Sequence, residues 1–246
     1  MREELVKAVE EEDLETVRGL LASGADPAVE SEPGGGDSAI HAAANAGKIA
    51  LLEPLIAAWL ERAPAAIKAS DILWSVLFNR QNEAGRLLAD HGAEKRFPMA
   101  VALGDLDDAE KWFDSDGRLP DERGKPLSEE VQTCEFNCAF FYAAICGSVE
   151  GLNYALRGIA DINMQPPGED FGGVSATPLH WAAGHGRPGA VGWLLKQGAD
   201  AAIRDDAWNA TPVGWAQQAG CVDVLDVFRQ FPDRLDKTDL ENLSLR

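Results

Sequence analysis

The stretch Thr177-Pro178-Leu179-His180-Trp181-Ala182-Ala183 decides the fold. It runs on through Gly186, Leu194-Leu195 and Gly198-Ala199-Asp200, and its opening nearly recurs 34 residues later as Thr211-Pro212-Val213-Gly214. Self-similarity at a period of about 33 residues marks a stack of like units, not a globule around one buried centre. Leu179, Ala182 and Ala183 stand three and four apart and line one helical face. Thr177 can cap that helix, and Pro178 in its first turn loses no hydrogen bond. Gly186 can take the left-handed conformation that ends it. Val191, Leu194 and Leu195 then form the apolar stripe of a second helix, closed by Gly198. One helix pair cannot bury that stripe alone, so neighbouring pairs must supply the core.

The clear unit serves as a ruler. Leu179 lies 15 residues before Leu194 and 19 before Gly198, and Leu5, Leu20 and Gly24 repeat both gaps. Ile40 and Leu55 repeat the first gap, with His41-Ala42-Ala43 and Gly47 between them. Leu73, Leu88 and Gly92 repeat both, with Trp74 at the histidine position and Arg80 at the mid-unit glycine. Phe97 with Gly104, Phe140 with Gly147, and Val213 with Gly220 begin looser copies. The reading is seven units, near 3–27, 38–60, 71–93, 95–117, 138–162, 177–200 and 211–232, in a single domain over 1–246. Phe97 and Phe140 are 43 apart, and Phe140 and Leu179 are 39 apart, which places inserted loops at 117–135 and 164–176. Leu73 and Phe97 are only 24 apart, so that connection is clipped. Insertions in such arrays fall on loops, often on the binding face.

The Thr-Pro-Leu-His opening, the mid-unit glycine, the paired leucines and the Gly-Ala-Asp ending resemble the ankyrin repeat. The resemblance implies an all-α ankyrin-repeat solenoid of about seven helix-turn-helix units joined by hairpin-like loops. It also implies a binding surface in place of an active site, made by the hairpin tips and the exposed positions of the first helices. Carried across residue by residue, those positions include Cys146, His185 and Gln218. Asp206-Ala207-Trp208-Asn209 resembles the family's aspartate-led turn, with asparagine for the usual glycine and Trp208 at the tip. With Phe171 from the second inserted loop, the expected partner-binding set is Cys146, Phe171, His185, Trp208 and Gln218. His41 and His180 occupy the position where the family's histidine ties a turn, so both read as structural. Trp181 and Trp215 follow that position and read as core.

The formal net charge of -19 argues against nucleic acid, whose phosphates demand a basic surface, and against anionic membranes. Acidic runs such as Glu10-Glu11-Glu12-Asp13 solvate outer faces, or steer the chain toward a basic protein. No apolar run approaches the roughly 20 residues that span a membrane. The opening Met1-Arg2-Glu3-Glu4 lacks a signal-peptide core, and four irregularly spaced cysteines do not make a disulfide framework. A cytoplasmic, monomeric protein without cofactor or metal is expected.

Chemistry has a poor case. Cys146 and His185 map to equivalent positions in adjacent units, and a Cys–His pair can make a thiolate nucleophile. Yet neighbouring helices lie roughly 8–10 Å apart, and no acidic residue is fixed to orient the histidine. Cys134, Cys138 and Cys146 with His185 lack the C-x-x-C pairing usual in structural zinc sites. Gly34-Gly35-Gly36 is a polar linker without the lysine of a phosphate loop. The expected function is therefore a non-catalytic protein–protein interaction module. The alternatives are an enzyme or small-molecule binder using Cys146 and His185, and an acidic inhibitor or immunity-type protein that blocks a basic partner. The acidic end from Asp233, with Leu235, Leu240 and Leu243, is expected to cover the last unit's apolar face.

Overall fold

A computed structural model describes residues 2–28, 38–63, 72–79, 81–121, 123–159, 161–166 and 173–244. Among them the chain is helical, with no strand beyond an isolated bridge between Pro120 and Pro126. The helices come in pairs: α1 (Arg2–Glu10) with α2 (Leu14–Ala22), α3 (Ala39–Asn45) with α4 (Ile49–Arg62), and α5 (Ile72–Phe78) with α6 (Asn82–Asp90). Then follow α7 (Phe97–Leu103) with α8 (Leu106–Glu110), α9 (Glu129–Cys146) with α10 (Val149–Ala155), α11 (Pro178–Gly184) with α12 (Pro188–Lys196), and α13 (Pro212–Gln218) with α14 (Val222–Phe228). A short 3-10 turn at Pro232–Arg234 leads into α15 (Lys237–Ser244). No helix among the described residues is long and apolar enough to cross a membrane.

Local chemistry explains the pairing. Ser38, Ser128, Thr177 and Thr211 each cap a first helix, accepting a backbone N–H three residues on. Between first and second helices the chain must turn back within about three residues, which a left-handed backbone achieves. Gly47, Gly104, Gly147, Gly186 and Gly220 hold that place, with φ between 66° and 79°. In the first pair Glu12 holds it at φ 59°, where a Cβ is strained.

Packing divides the chain into two compact units, Met1–Lys95 and Arg96–Arg246, separated at the clipped connection. In the first unit α1 packs on α3 and α3 on α5, while α2 packs on α4 and α4 on α6. In the second, α7 packs on α9, α9 on α11 and α11 on α13, while α10 packs on α12 and α12 on α14. First helices thus form one layer of each unit and second helices the other. Helices α7 and α11 are buried along their whole length. The core of the second unit runs from Phe97 through Phe140 and Leu179 to Val213 and Phe228. Close approach is required where α10 meets α7: a Cβ on Gly151 would lie 2.2 Å from the Val101 carbonyl oxygen.

The inserted loop expected at 117–135 is corrected in part. It is a loop only as far as Ser128, and residues from Glu129 onward are the start of an 18-residue α9. Ser128 caps it, and Glu129 and Glu130 in the first turn complement the helix dipole. The described part of the loop closes on itself: Asp121 N donates to Lys125 O, and Leu127 N to Leu119 O. Of the second inserted loop, residues 167–172, including Phe171, lie outside the described residues; so does Arg80. The terminal segment does cover the last pair. Leu243 is buried in the second unit's core, Arg229 Nε donates to the Leu243 carbonyl, and Arg204 pairs with Asp236 at 2.7 Å.

Replacing the strained Glu12 with glycine should stabilise the first unit by about 0.5–1 kcal/mol in urea unfolding, since left-handed strain exceeds the entropy cost of glycine. The exposed Lys48–Glu12 contact at 3.5 Å subtracts little from that gain. Gly151→Ala should instead destabilise the second unit by about 1–3 kcal/mol, because the Val101 carbonyl cannot move without shifting α7.

Candidate functional site

The hairpin between α12 and α13 is organised by one buried carboxylate. Asp205 Oδ1 accepts from the backbone N–H of Ala207 at 2.9 Å and of Trp208 at 2.6 Å. Its Oδ2 accepts from Ala210 N at 3.0 Å and from the Trp215 indole N–H at 2.9 Å. Burial pushes the Asp205 pKa upward, but the N–H donors of Trp208, Trp215, Ala210 and Ala207 outweigh burial and hold it below the usual carboxylate range. Asn209 then takes φ 52°, a conformation that asparagine tolerates better than most residues. The expected lead of this turn by Asp206 is corrected: Asp205 leads it, and Asp206 reaches back to residue 175. There Asp206 Oδ1 accepts from Ser175 N at 2.7 Å, and Asp206 N donates to Ser175 O at 3.2 Å.

From below, the hairpin is tied to α11 by His180, which is fully buried. Thr177 accepts from His180 N, and His180 Nδ1 accepts from Thr177 N at 3.2 Å, closing a capping box. Nε2–H then donates to the Ala210 carbonyl at 3.1 Å. The ring is therefore neutral, with its proton on Nε2. Desolvation lowers its pKa to about 4, partly offset by the Ala210 carbonyl and the Asp205 charge. His41 shows the simpler form of the same tie, its Nδ1 lying 2.7 Å from the Ser38 hydroxyl. Both histidines have the structural role their position implied.

An aromatic row extends from the hairpin tip inward. The Trp208 ring, 67% exposed, meets Trp215 edge-on at 5.7 Å, and Trp215 meets Trp181 at 5.2 Å. Trp181 is buried and lies 5.7 Å from the His185 ring. Gly184 makes room, since a Cβ there would lie 2.8 Å from the Trp215 ring. These distances suit edge-to-face packing. His185 is half-buried and its Nδ1–H donates to the Trp181 carbonyl at 3.0 Å; Gln218 is exposed at the end of α13. Cys146 is only 6% exposed at the end of α9, so its thiol has little surface to offer a partner. The structure thus links His185 and Trp208 through two tryptophans, with Gln218 on the same helix as Trp215. It leaves Cys146 inside. Asp205 was missed, although an aspartate six residues before the Thr211-Pro212 helix start is a legible turn signal.

A separate cleft of about 560 Å³ lies in the second unit, lined by Glu110, Phe113, Asp114, Gln132, Phe136 and Arg157 among others. The Arg157 guanidinium stacks 3.9 Å from the Tyr154 ring centre and lies within 5.6 Å of those of Phe113 and Phe136. It donates twice to one Glu110 oxygen at 3.3 Å, and Tyr154 OH donates to the same oxygen at 2.7 Å. This cluster fastens α8 to α10, and the chain's own arginine already occupies the aromatic and acidic walls. The described lining comes from the first insertion and helices α8 to α10, not from both insertions together.

His180 imposes a pH dependence. Its folded pKa of about 4 lies below the ordinary value of 6.5, so the unfolded chain binds the extra proton between those values. The stability it contributes is complete above pH 6.5 and is lost as pH falls from there to about 4. At 1.36 kcal/mol per unit, the loss is on the order of 3 kcal/mol. Thermal melts from pH 7 to pH 4 should show that slope in the native chain, and a much shallower one in His180→Asn.

Residues 176–206 match the family model described as Ankyrin repeat. No curated protein matches the chain. The matched segment spans α11 and α12 and ends at Asp206, just inside the hairpin led by Asp205. Residues 176–206 are thus similar to an ankyrin repeat, and helix pairs of the same kind recur on either side of them in an all-helical array consistent with an ankyrin-type solenoid.

Proposed function

We propose that the protein is a non-catalytic recognition module that binds a protein partner through the 200–210 hairpin and the aromatic row behind it. Ankyrin repeats serve as protein-interaction modules, and that is the coarse expectation here. One observation carries the specific reading: a tryptophan two-thirds exposed, on a backbone tied by three bonds to a buried carboxylate that the Trp215 indole also holds. An exposed indole on a rigid support costs little entropy to immobilise, and tryptophan leads the residues that dominate interfaces. Gln218 and the half-buried His185 supply a polar rim beside it.

A basic partner fits the charge. The chain carries -19, and Asp161 before α11 and Asp200 and Asp206 before α13 are exposed. Such a field speeds encounter with a positive surface and rejects acidic ones. An inhibitor that covers a basic protein is a special case of this reading. The module is taken to act as a cytosolic monomer. The Cys146–His185 enzyme draws no support, because that thiol is buried and that ring is held by its own helix.

Affinity capture from the native cell extract, followed by titration of the captured partner, tests the proposal. Trp208→Ala should weaken binding at least tenfold, as expected for loss of an anchor contributing about 2 kcal/mol. Association should slow as salt rises. If Trp208→Ala and His185→Ala both retain every partner at native affinity, the site is wrong.

A further inference from the structure

Helix α9 starts nine residues before the unit to which it belongs, and this extension ends in two cysteines. Cys134 and Cys138 are four residues apart, which puts them on one face with Cβ atoms about 5–6 Å apart. Both are thiols, Cys134 exposed and Cys138 partly so. The stripe continues along the same face through Tyr142 to Cys146. Burial, followed by the nearness of the Cys138 and Cys146 thiols, pushes the Tyr142 phenol far above its ordinary pKa. Tyr142 and Cys146 are buried, so solvent reaches only the outer end of the stripe.

A two-thiol array selects its ligands by coordination number. Zinc takes at least three protein donors, and among the described residues no group of three or more His, Cys, Asp or Glu side chains is arranged to hold a metal. Soft thiophilic centres are satisfied by two thiolates. We propose that Cys134 and Cys138 form a dithiol site for soft thiophilic species of low coordination number, the class typified by trivalent arsenic. With an organic arsenoxide, two As–S bonds form and the arsenic–oxygen bond breaks. The two thiol protons leave with that oxygen as one water, and no electron changes hands. Exposed Glu130, one turn before Cys134, disfavours anionic thiol reagents but not a neutral arsenoxide. Joining the two sulfurs braces the turn that carries Phe136, so occupancy is felt at the wall of the Arg157 cleft.

The test titrates the full-length reduced protein with phenylarsine oxide, reading stoichiometry by intact mass and remaining thiols by maleimide labelling. One arsenic per chain should bind, with the loss of two reactive thiols. Cys134→Ser and Cys138→Ser should each weaken binding by about a hundredfold or more, because the second thiol acts as an intramolecular partner. Cys146→Ser and Cys221→Ser should leave it unchanged, with circular dichroism verifying that each variant is folded. The proposal fails if either outer variant keeps native affinity, if Cys146→Ser or Cys221→Ser removes binding, or if zinc(II) binds at one equivalent in place of arsenic.

Discussion

Both polar atoms of one backbone unit, Ala210, are claimed by buried side chains, and the hairpin between α12 and α13 depends on that double tie. Its carbonyl accepts from His180 Nε2–H and from Asp205 N, while its N–H donates to the Asp205 carboxylate. A buried hydrogen bond contributes only about 1 kcal/mol net, but leaving one of these groups unpaired costs considerably more. The chain therefore has one low-energy path between α12 and α13. His180 must be neutral to follow it, and Asp205 must be charged. Burial keeps His180 neutral despite the nearby Asp205 charge, and the N–H donors of Trp208, Trp215, Ala210 and Ala207 keep Asp205 charged despite its burial.

The stack supplies the frame for this tie. No helix pair buries its own apolar stripe, so each first helix is held by its neighbours, α11 most completely. Turns between paired helices are nearly invariant because only a left-handed residue reverses the chain so quickly. Where glycine is missing, as at Glu12, the geometry persists and strain is accepted. Tertiary packing thus overrides local preference once the neighbours are in place.

The proposed recognition surface differs from the open groove that a row of first helices suggests. Between α11 and α13 the space is filled by Trp181 and Trp215, and the absent Cβ of Gly184 lets the second ring lie close. The exposed aromatic surface lies outward at the hairpin, where Trp208 rests on Trp215 and faces solvent. Arg204 braces the outer side, donating to the Asn209 carbonyl and pairing with Asp236 of the terminal segment. The terminal segment leading into α15 and the hairpin are accordingly fastened to each other through one arginine.

The sequence by itself determined the helix pairs, because their signals are local: Thr177-Pro178, the Leu179-Ala182-Ala183 face and the glycine before most second helices act within a few residues. It also marked Trp208 as a tip residue and His180 as a tie, since both follow from a motif at fixed spacing. The early start of α9 was legible too, in a run without glycine or proline from Leu127 to Cys146, but the looser repeat spacing masked it. Only the tertiary structure decided that Asp205, not Asp206, gathers the turn, because two adjacent aspartates differ in burial and not in kind. Only it decided that Cys146 faces inward while Trp208 faces out. Exposure depends on which neighbour fills the space beside a residue, and those neighbours lie one repeat or more away along the chain.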